Sequence, residues 1–216
     1  MSKIKEGVII IRSHGVAPQV VKKIKAKGLE VVDATCPFVK RAHKLARESV
    51  IAGYNLVILG DAKHPEVEGI LGAVNYRARV ISGDSEVKKL PRKASCALLA
   101  QTTQSIDNLK KVSGALLSQT HVLKILNTTC NATTKLQAQT RVLARKVDLM
   151  LVIGGYNSAN TTRLASICSN VGVRTYHIET VAELKKSWLP GVRKVGITGG
   201  TSTPSWVIEE IVNALQ

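Results

Sequence analysis

Aromatic residues are almost missing from this 216-residue chain, which has one Phe, two Trp and four Tyr. A core must therefore be built from Val, Ile, Leu and Ala, and the stacking platforms that hold single-stranded nucleic acid are not available. Acidic residues are also scarce, 15 against 31 Lys and Arg, for a formal charge of +16. That balance attracts anions: phosphorylated small molecules, nucleic acid or an acidic protein partner. No run of about 18 apolar residues occurs, so no membrane-spanning helix is expected. Residues 1–7 are polar and lead straight into an apolar run, without the pattern of a signal peptide. Four cysteines with no export signal point to a reducing compartment, the cytoplasm, where thiols serve metals or chemistry more than disulfides.

What the chain does have is a steady alternation of short β-branched runs with helical patterns, the mark of βαβ units and parallel sheets. Strands are expected at 8–11, 30–32, 56–59, 79–81, 96–100, 122–126, 149–153, 175–178 and 194–197, the first of them buried. Helices are expected at 20–27, 39–52, 67–74, 85–90, 106–117, 132–146, 162–170, 181–188 and 205–215.

One element is duplicated. A strand leads into Thr35-Cys36, then a helix, then an apolar strand ending at Gly60. The same order recurs from Thr129-Cys130 to Gly154, with equal spacing from cysteine to glycine. A cysteine repeated at the same mouth of a repeated unit suggests one ligand per unit on a shared centre. The alternative, a small buried hydrophobe, is the commonest fate of a free cysteine. Cys96 lies within a strand and Cys168 within a helix, and both are expected to be core. Two thiolates are fewer than the three or four protein ligands that zinc and iron–sulfur centres take.

The chain opens with strand 8–11 and Arg12-Ser13-His14-Gly15, which corresponds to the last loop of a unit rather than its first. The expected organisation is a remnant of a first α/β unit over 1–35, a second unit over 36–120 and a third over 121–216. This amounts to a threefold arrangement with its first part truncated.

Other polar strand ends fall where ligands bind in parallel sheets. His64-Pro65-Glu66 could supply an anion ligand and a proton donor, with Glu68 a competitor for the acid role. Asn157-Ser158-Ala159-Asn160-Thr161-Thr162 holds more polar side chains than the one that capping a helix needs. Ser202 follows Gly199-Gly200 with the same two readings. His43, His121 and His177 are expected to be structural or exposed.

In order along the chain, Arg12-Ser13-His14-Gly15, Asp33-Ala34-Thr35-Cys36-Pro37, His64-Pro65-Glu66-Val67-Glu68-Gly69, Gln101-Thr102-Thr103, Asn157-Ser158-Ala159-Asn160 and Ser202-Thr203-Pro204 resemble the LytB family. Its members are the 4-hydroxy-3-methylbut-2-enyl diphosphate reductases of non-mevalonate isoprenoid biosynthesis. The resemblance implies a pseudo-threefold trefoil of parallel-sheet α/β units around a [4Fe-4S] cluster, with reductive dehydroxylation to isopentenyl and dimethylallyl diphosphate. It implies that Cys36 and Cys130 are cluster ligands, with the third cysteine upstream of this chain. Glu66 resembles the acid that protonates the leaving hydroxyl, with Thr102 in its relay. His14, His64, Thr102, Ser158, Asn160 and Ser202 resemble substrate-binding groups, and Ala159 stands where the family usually carries serine. The implied electron donor is a reduced ferredoxin or flavodoxin, and the protein is expected to be a monomer. Because one cysteine-bearing segment of the family is not in this sequence, activity is expected to be impaired.

Two rivals are a non-enzymatic phosphate- or nucleic-acid-binding α/β protein without a cluster, and a zinc hydrolase using Cys36, Cys130 and His64.

Overall fold

The computed structural model describes residues 4–216. The chain packs as two units, the first ending at Cys130 and the second beginning at Asn131. In the first, β1 (Val8–Ile11), α1 (Pro18–Lys25), β2 (Glu30–Asp33), α2 (Pro37–Ile51), β3 (Asn55–Leu59) and α3 (Pro65–Ala73) follow in order. Then come β4 (Ala78–Ile81), β5 (Ser95–Ala100), α4 (Ile106–Leu117) and β6 (Val122–Leu126), with a 3-10 turn at Asp84–Lys89. Strands β1 and β2 form a two-stranded sheet, and the other four lie in the order β4-β3-β5-β6. Every pairing is parallel.

Three of these helices start on proline: Pro18, Pro37 and Pro65 occupy the first turn. There a missing N–H costs nothing and the fixed φ suits a helix. The helices cover both faces of the four-stranded sheet, so its central strands are apolar throughout. Leu56, Ile58, Ala97 and Leu99 pack with α2 and α3, and Val57, Leu59, Leu98 and Ala100 pack beneath α4.

The second unit contains α5 (Asn131–Ala144), β7 (Leu149–Ile153), α6 (Ala159–Val171), β8 (Arg174–Ile178), β9 (Val195–Gly199) and α7 (Ser205–Leu215). Its parallel sheet runs β8-β7-β9. All five residues of β7 are buried. Leu149, Leu151 and Ile153 join Ile211 and Val207 of α7, whereas Met150 and Val152 join Leu164 and Cys168 of α6. Gly172, at φ 91°, ends α6 in the left-handed conformation that glycine adopts without a Cβ clash.

Two expectations are corrected, and two observations bear on how the chain divides. Strand β1 is not buried: Val8 and Ile10 are 54% and 69% exposed, and Val32 beside Ile10 is exposed too. No described residue covers that face. The helix expected at 181–188 is two 3-10 turns, Val181–Glu183 and Lys186–Trp188, because Leu184 is extended between them. Helix α1 is tied to the end of α3: Gln19 donates to the Gly72 carbonyl at 3.0 Å and to Asn75 Oδ1 at 2.8 Å. Strand β6, which follows residue 120, hydrogen-bonds with β5 of the first unit, pairing Cys96 with Leu123 and Leu98 with Ile125.

Candidate functional site

The first unit gathers its polar loops at the carboxyl ends of its strands. His64 caps α3: its Nδ1 accepts the Glu66 N–H at 3.1 Å. With Nδ1 accepting, the proton of the neutral ring sits on Nε2, the nitrogen that can donate to an anion. Glu66, in the first turn of α3, is 1% exposed. Its Oε1 accepts the Thr102 N–H at 2.7 Å and its Oε2 the Thr102 hydroxyl at 2.7 Å. Burial raises the Glu66 pKa, and the two Thr102 bonds offset only part of that rise. A carboxyl biased toward its protonated form, bonded to a hydroxyl, is an acid with a relay partner. Glu68 is instead exposed and takes the Tyr76 hydroxyl at 2.5 Å, so it is not the buried acid.

The His14 ring stands edge-on to His64, centroids 5.1 Å apart at 89°. Burial, with the Arg12 guanidinium nearby, lowers the His14 pKa. Its Nδ1 is buried without a hydrogen-bond partner. Two imidazoles, one with an unsatisfied nitrogen, suit an oxyanion that brings its own acceptors.

Both repeated cysteines attach to this network through the backbone. Cys36 N–H donates to the Ser13 carbonyl at 3.0 Å, next to His14. Cys130 N–H donates to the Thr102 carbonyl at 2.8 Å, next to the Glu66 partner. The loop before Cys36 is pinned by Asp33, which takes the Thr35 N–H at 3.0 Å and Lys40 Nζ at 2.8 Å. Those bonds, Lys40 first, hold the Asp33 pKa at about 2. Cys36 and Cys130 are half-buried free thiols, whereas burial pushes both Cys96 and Cys168 up to about 11. The second pair is core, as expected. Among the described residues no three His, Cys, Asp or Glu side chains gather as a metal-binding set. Cys36 and Cys130 therefore suit thiolate ligation but do not by themselves close a cluster site.

In the second unit, Ser158 is the N-cap of α6, its Oγ accepting the Thr161 N–H at 3.3 Å and the Thr161 hydroxyl at 3.0 Å. That satisfies the capping reading. Asn160 goes beyond it: the residue is 4% exposed, yet neither its Oδ1 nor its Nδ2 has a hydrogen-bond partner. A buried carboxamide left empty on both atoms is costly, and a polar ligand would relieve it. Ser202 is exposed in the loop after β9, where Thr203 Oγ1 donates to the Ile153 carbonyl at 2.9 Å.

Two residues that the sequence reading named only within their motifs also take part. Thr161 Oγ1 lies 2.9 Å from where a Cβ on Gly154 would sit, and it also crowds Gly200. The signal was the pair of glycines closing adjacent strands. Gln101, fully buried, anchors the loop after β3 by accepting the Asp61 N–H at 3.0 Å, while its Nε2 is unpaired. Its position directly before Thr102 was the only cue. Among the histidines read as structural, His43 is buried with its pKa lowered to about 4, chiefly by burial. His121 is exposed, and His177 Nε2 lies 2.7 Å from the Gly154 carbonyl.

The chain as a whole is similar to several known proteins. A 4-hydroxy-3-methylbut-2-enyl diphosphate reductase of Trichlorobacter lovleyi is 47% identical over 215 residues, 100% of this chain and 77% of the relative. The reductase of Geotalea uraniireducens is 46% identical over 216 residues, again 100% and 77%. A solved structure of (E)-4-hydroxy-3-methyl-but-2-enyl diphosphate reductase aligns at TM-score 0.64 and 40% identity, covering 99% of this chain and 78% of that one. The E-1-hydroxy-2-methyl-but-2-enyl-4-diphosphate reductase of Plasmodium falciparum aligns at TM-score 0.90 and 26% identity, covering 98% and 67%. The LytB protein family model matches residues 1–216, and with the strand-end loops in place the chain belongs to the LytB family.

Proposed function

We propose that this protein is a 4-hydroxy-3-methylbut-2-enyl diphosphate reductase. The observation that carries this reading is the buried Glu66 carboxyl held on both oxygens by Thr102. The overall change breaks the allylic C–O bond, takes up two electrons and two protons, and releases water with isopentenyl or dimethylallyl diphosphate. In this reading Glu66 gives a proton to the departing hydroxyl, and the Thr102 hydroxyl reorients to return one. His14 and His64 donate to phosphate oxygens in the first unit, and Ser158, Asn160 and Ser202 are the anion-holding groups of the second.

Cys36 and Cys130 would hold an iron–sulfur cluster of the [4Fe-4S] type, which when bound supplies electrons one at a time and a Lewis-acidic iron. Cys96 and Cys168 are sealed in cores, so a third thiolate would come from outside these four. An electron donor of the ferredoxin or flavodoxin kind, acidic and small, suits a chain with charge +16. No helix among the described residues is long and apolar enough to cross a membrane, and thiol ligation suits a reducing compartment such as the cytoplasm.

The test is anaerobic reconstitution with iron and sulfide, metal counting, and product analysis with a chemical reductant. We expect fewer than four irons per chain, and turnover well below that of a full-length relative assayed alongside but above a metal-free control. No product even at full iron loading would overturn the reading. Metal-independent, steeply salt-dependent DNA binding in that case would favour the cluster-free binding module.

A further inference from the structure

A second concave site lies at the amino ends of β3, β4 and β5, the opposite strand ends from the loops of His64, Glu66 and Thr102. It is a cavity of about 530 Å³ lined wholly by residues of the first unit. Strand alternation shows what is unusual about it. In the parallel register Val57 lies beside Arg79 and Leu59 beside Ile81. Val57, Leu59 and Ile81 belong to the core beneath α4, with Cys96 and Leu98. Arg79 thus occupies a position on that face where the period-two pattern calls for an apolar side chain. At that place the core opens into the cavity, whose wall also carries Arg77 and Lys93 and no Asp or Glu.

Two independent features share the wall. Gln119 Oε1 is buried there without a hydrogen-bond partner. Asn75 and Tyr76 are consecutive residues at φ 51° and 58°, left-handed values that Asn tolerates and Tyr rarely adopts. The Tyr76 N–H reaches the Leu71 carbonyl at 2.8 Å, which fixes the turn so that Tyr76 and Arg77 both line the cavity. Strain and broken patterning concentrated at one concavity mark a ligand site.

We propose that this cavity binds a small amphipathic anion, its phosphate or carboxylate head on Arg79 and Lys93 and a short hydrocarbon body on Val57, Leu90 and Leu116. The volume falls in the range of small-molecule sites. Cations without a facing carboxylate set the sign of the charge, and the apolar floor sets the need for a hydrocarbon body. Gln119 offers a hydrogen bond to a hydroxyl near the head. Products of the reaction proposed above are branched five-carbon diphosphates of this class, so the site would let product act on the unit that carries Glu66. That regulatory link rests on the proposed function; the binding itself does not.

The test uses the whole chain with ¹³C-labelled Leu and Val methyls, titrated with 3-methylbutyl phosphate, inorganic phosphate and 3-methylbutan-1-ol. We expect saturable shifts of the Val57, Leu90 and Leu116 methyls with the alkyl phosphate, and at least about tenfold weaker binding of either half-molecule. The exposed pair Arg79→Gln/Lys93→Gln should weaken the alkyl phosphate about tenfold while leaving the methyl spectrum of the free protein in place; Lys93→Gln alone serves if the pair unfolds. Methyls that stay still, shifts confined to Val67 near His64, equal binding of inorganic phosphate, or full affinity in the variant would each overturn the proposal. None of these outcomes depends on reductase turnover.

Discussion

In the proposed function Glu66 is the group through which pH acts on the chemistry. Its folded pKa is raised by burial, so the stability it contributes is fully present below the unfolded value and is lost as pH rises through the folded one. Glu66→Gln keeps both Thr102 contacts, the amide oxygen accepting the N–H and the amide nitrogen donating to the hydroxyl, but it cannot give up a proton. Turnover by reconstituted protein should fall about 10²- to 10⁴-fold. In urea unfolding, the variant should gain on the parent as pH rises from 4 to 8. Retained turnover, or equal pH slopes, would contradict the acid role. The place of His-Pro-Glu at a strand end was legible from sequence because the motif follows an apolar run; that Glu66 rather than Glu68 is the buried carboxyl was not. The orphaned atoms of His14 and Asn160 were not, since orphaning depends on neighbours distant in the chain.

Helix α3 shows what two glycines three residues apart accomplish. A Cβ on Gly69 would press on His43 of α2 at 3.1 Å, and one on Gly72 would collide with Ala17 ahead of α1. Gly72→Ala should therefore destabilise by about 1–3 kcal/mol through overpacking, less up to ~1 kcal/mol of helix propensity. Gly114→Ala in α4, where a Cβ meets nothing within 4 Å, should stabilise by up to ~1 kcal/mol. Denaturant midpoints of the two variants should move in opposite directions. The nine strands of the described residues were legible as short runs rich in apolar or β-branched side chains, because a parallel strand carries its apolar content locally. Burial of β1 was not legible: Val-Ile-Ile-Ile reads as core, but what covers a sheet face is decided by other segments. The apolar spacing of Val181, Leu184 and Trp188 reads as one helix, yet these side chains reach the core around β7 from two tight turns.

On the scale of the whole chain, the unit boundary could not be read from β6, whose sequence is the same whichever sheet it joins. Its pairing with β5 keeps Cys130 with the unit of Cys36. The two buried thiols divide evenly between the units: Cys96 lies in the core of the first and Cys168 in that of the second. Alkylation of metal-free protein should stop quickly at two modified residues, Cys36 and Cys130. Mass spectrometry of peptides at rising urea should then show the remaining two appearing along separate curves. Four equal rates in the native state would refute that division. Nature has in effect supplied this molecule with a pair of internal clocks, each timing the opening of its own half without any label having to be engineered.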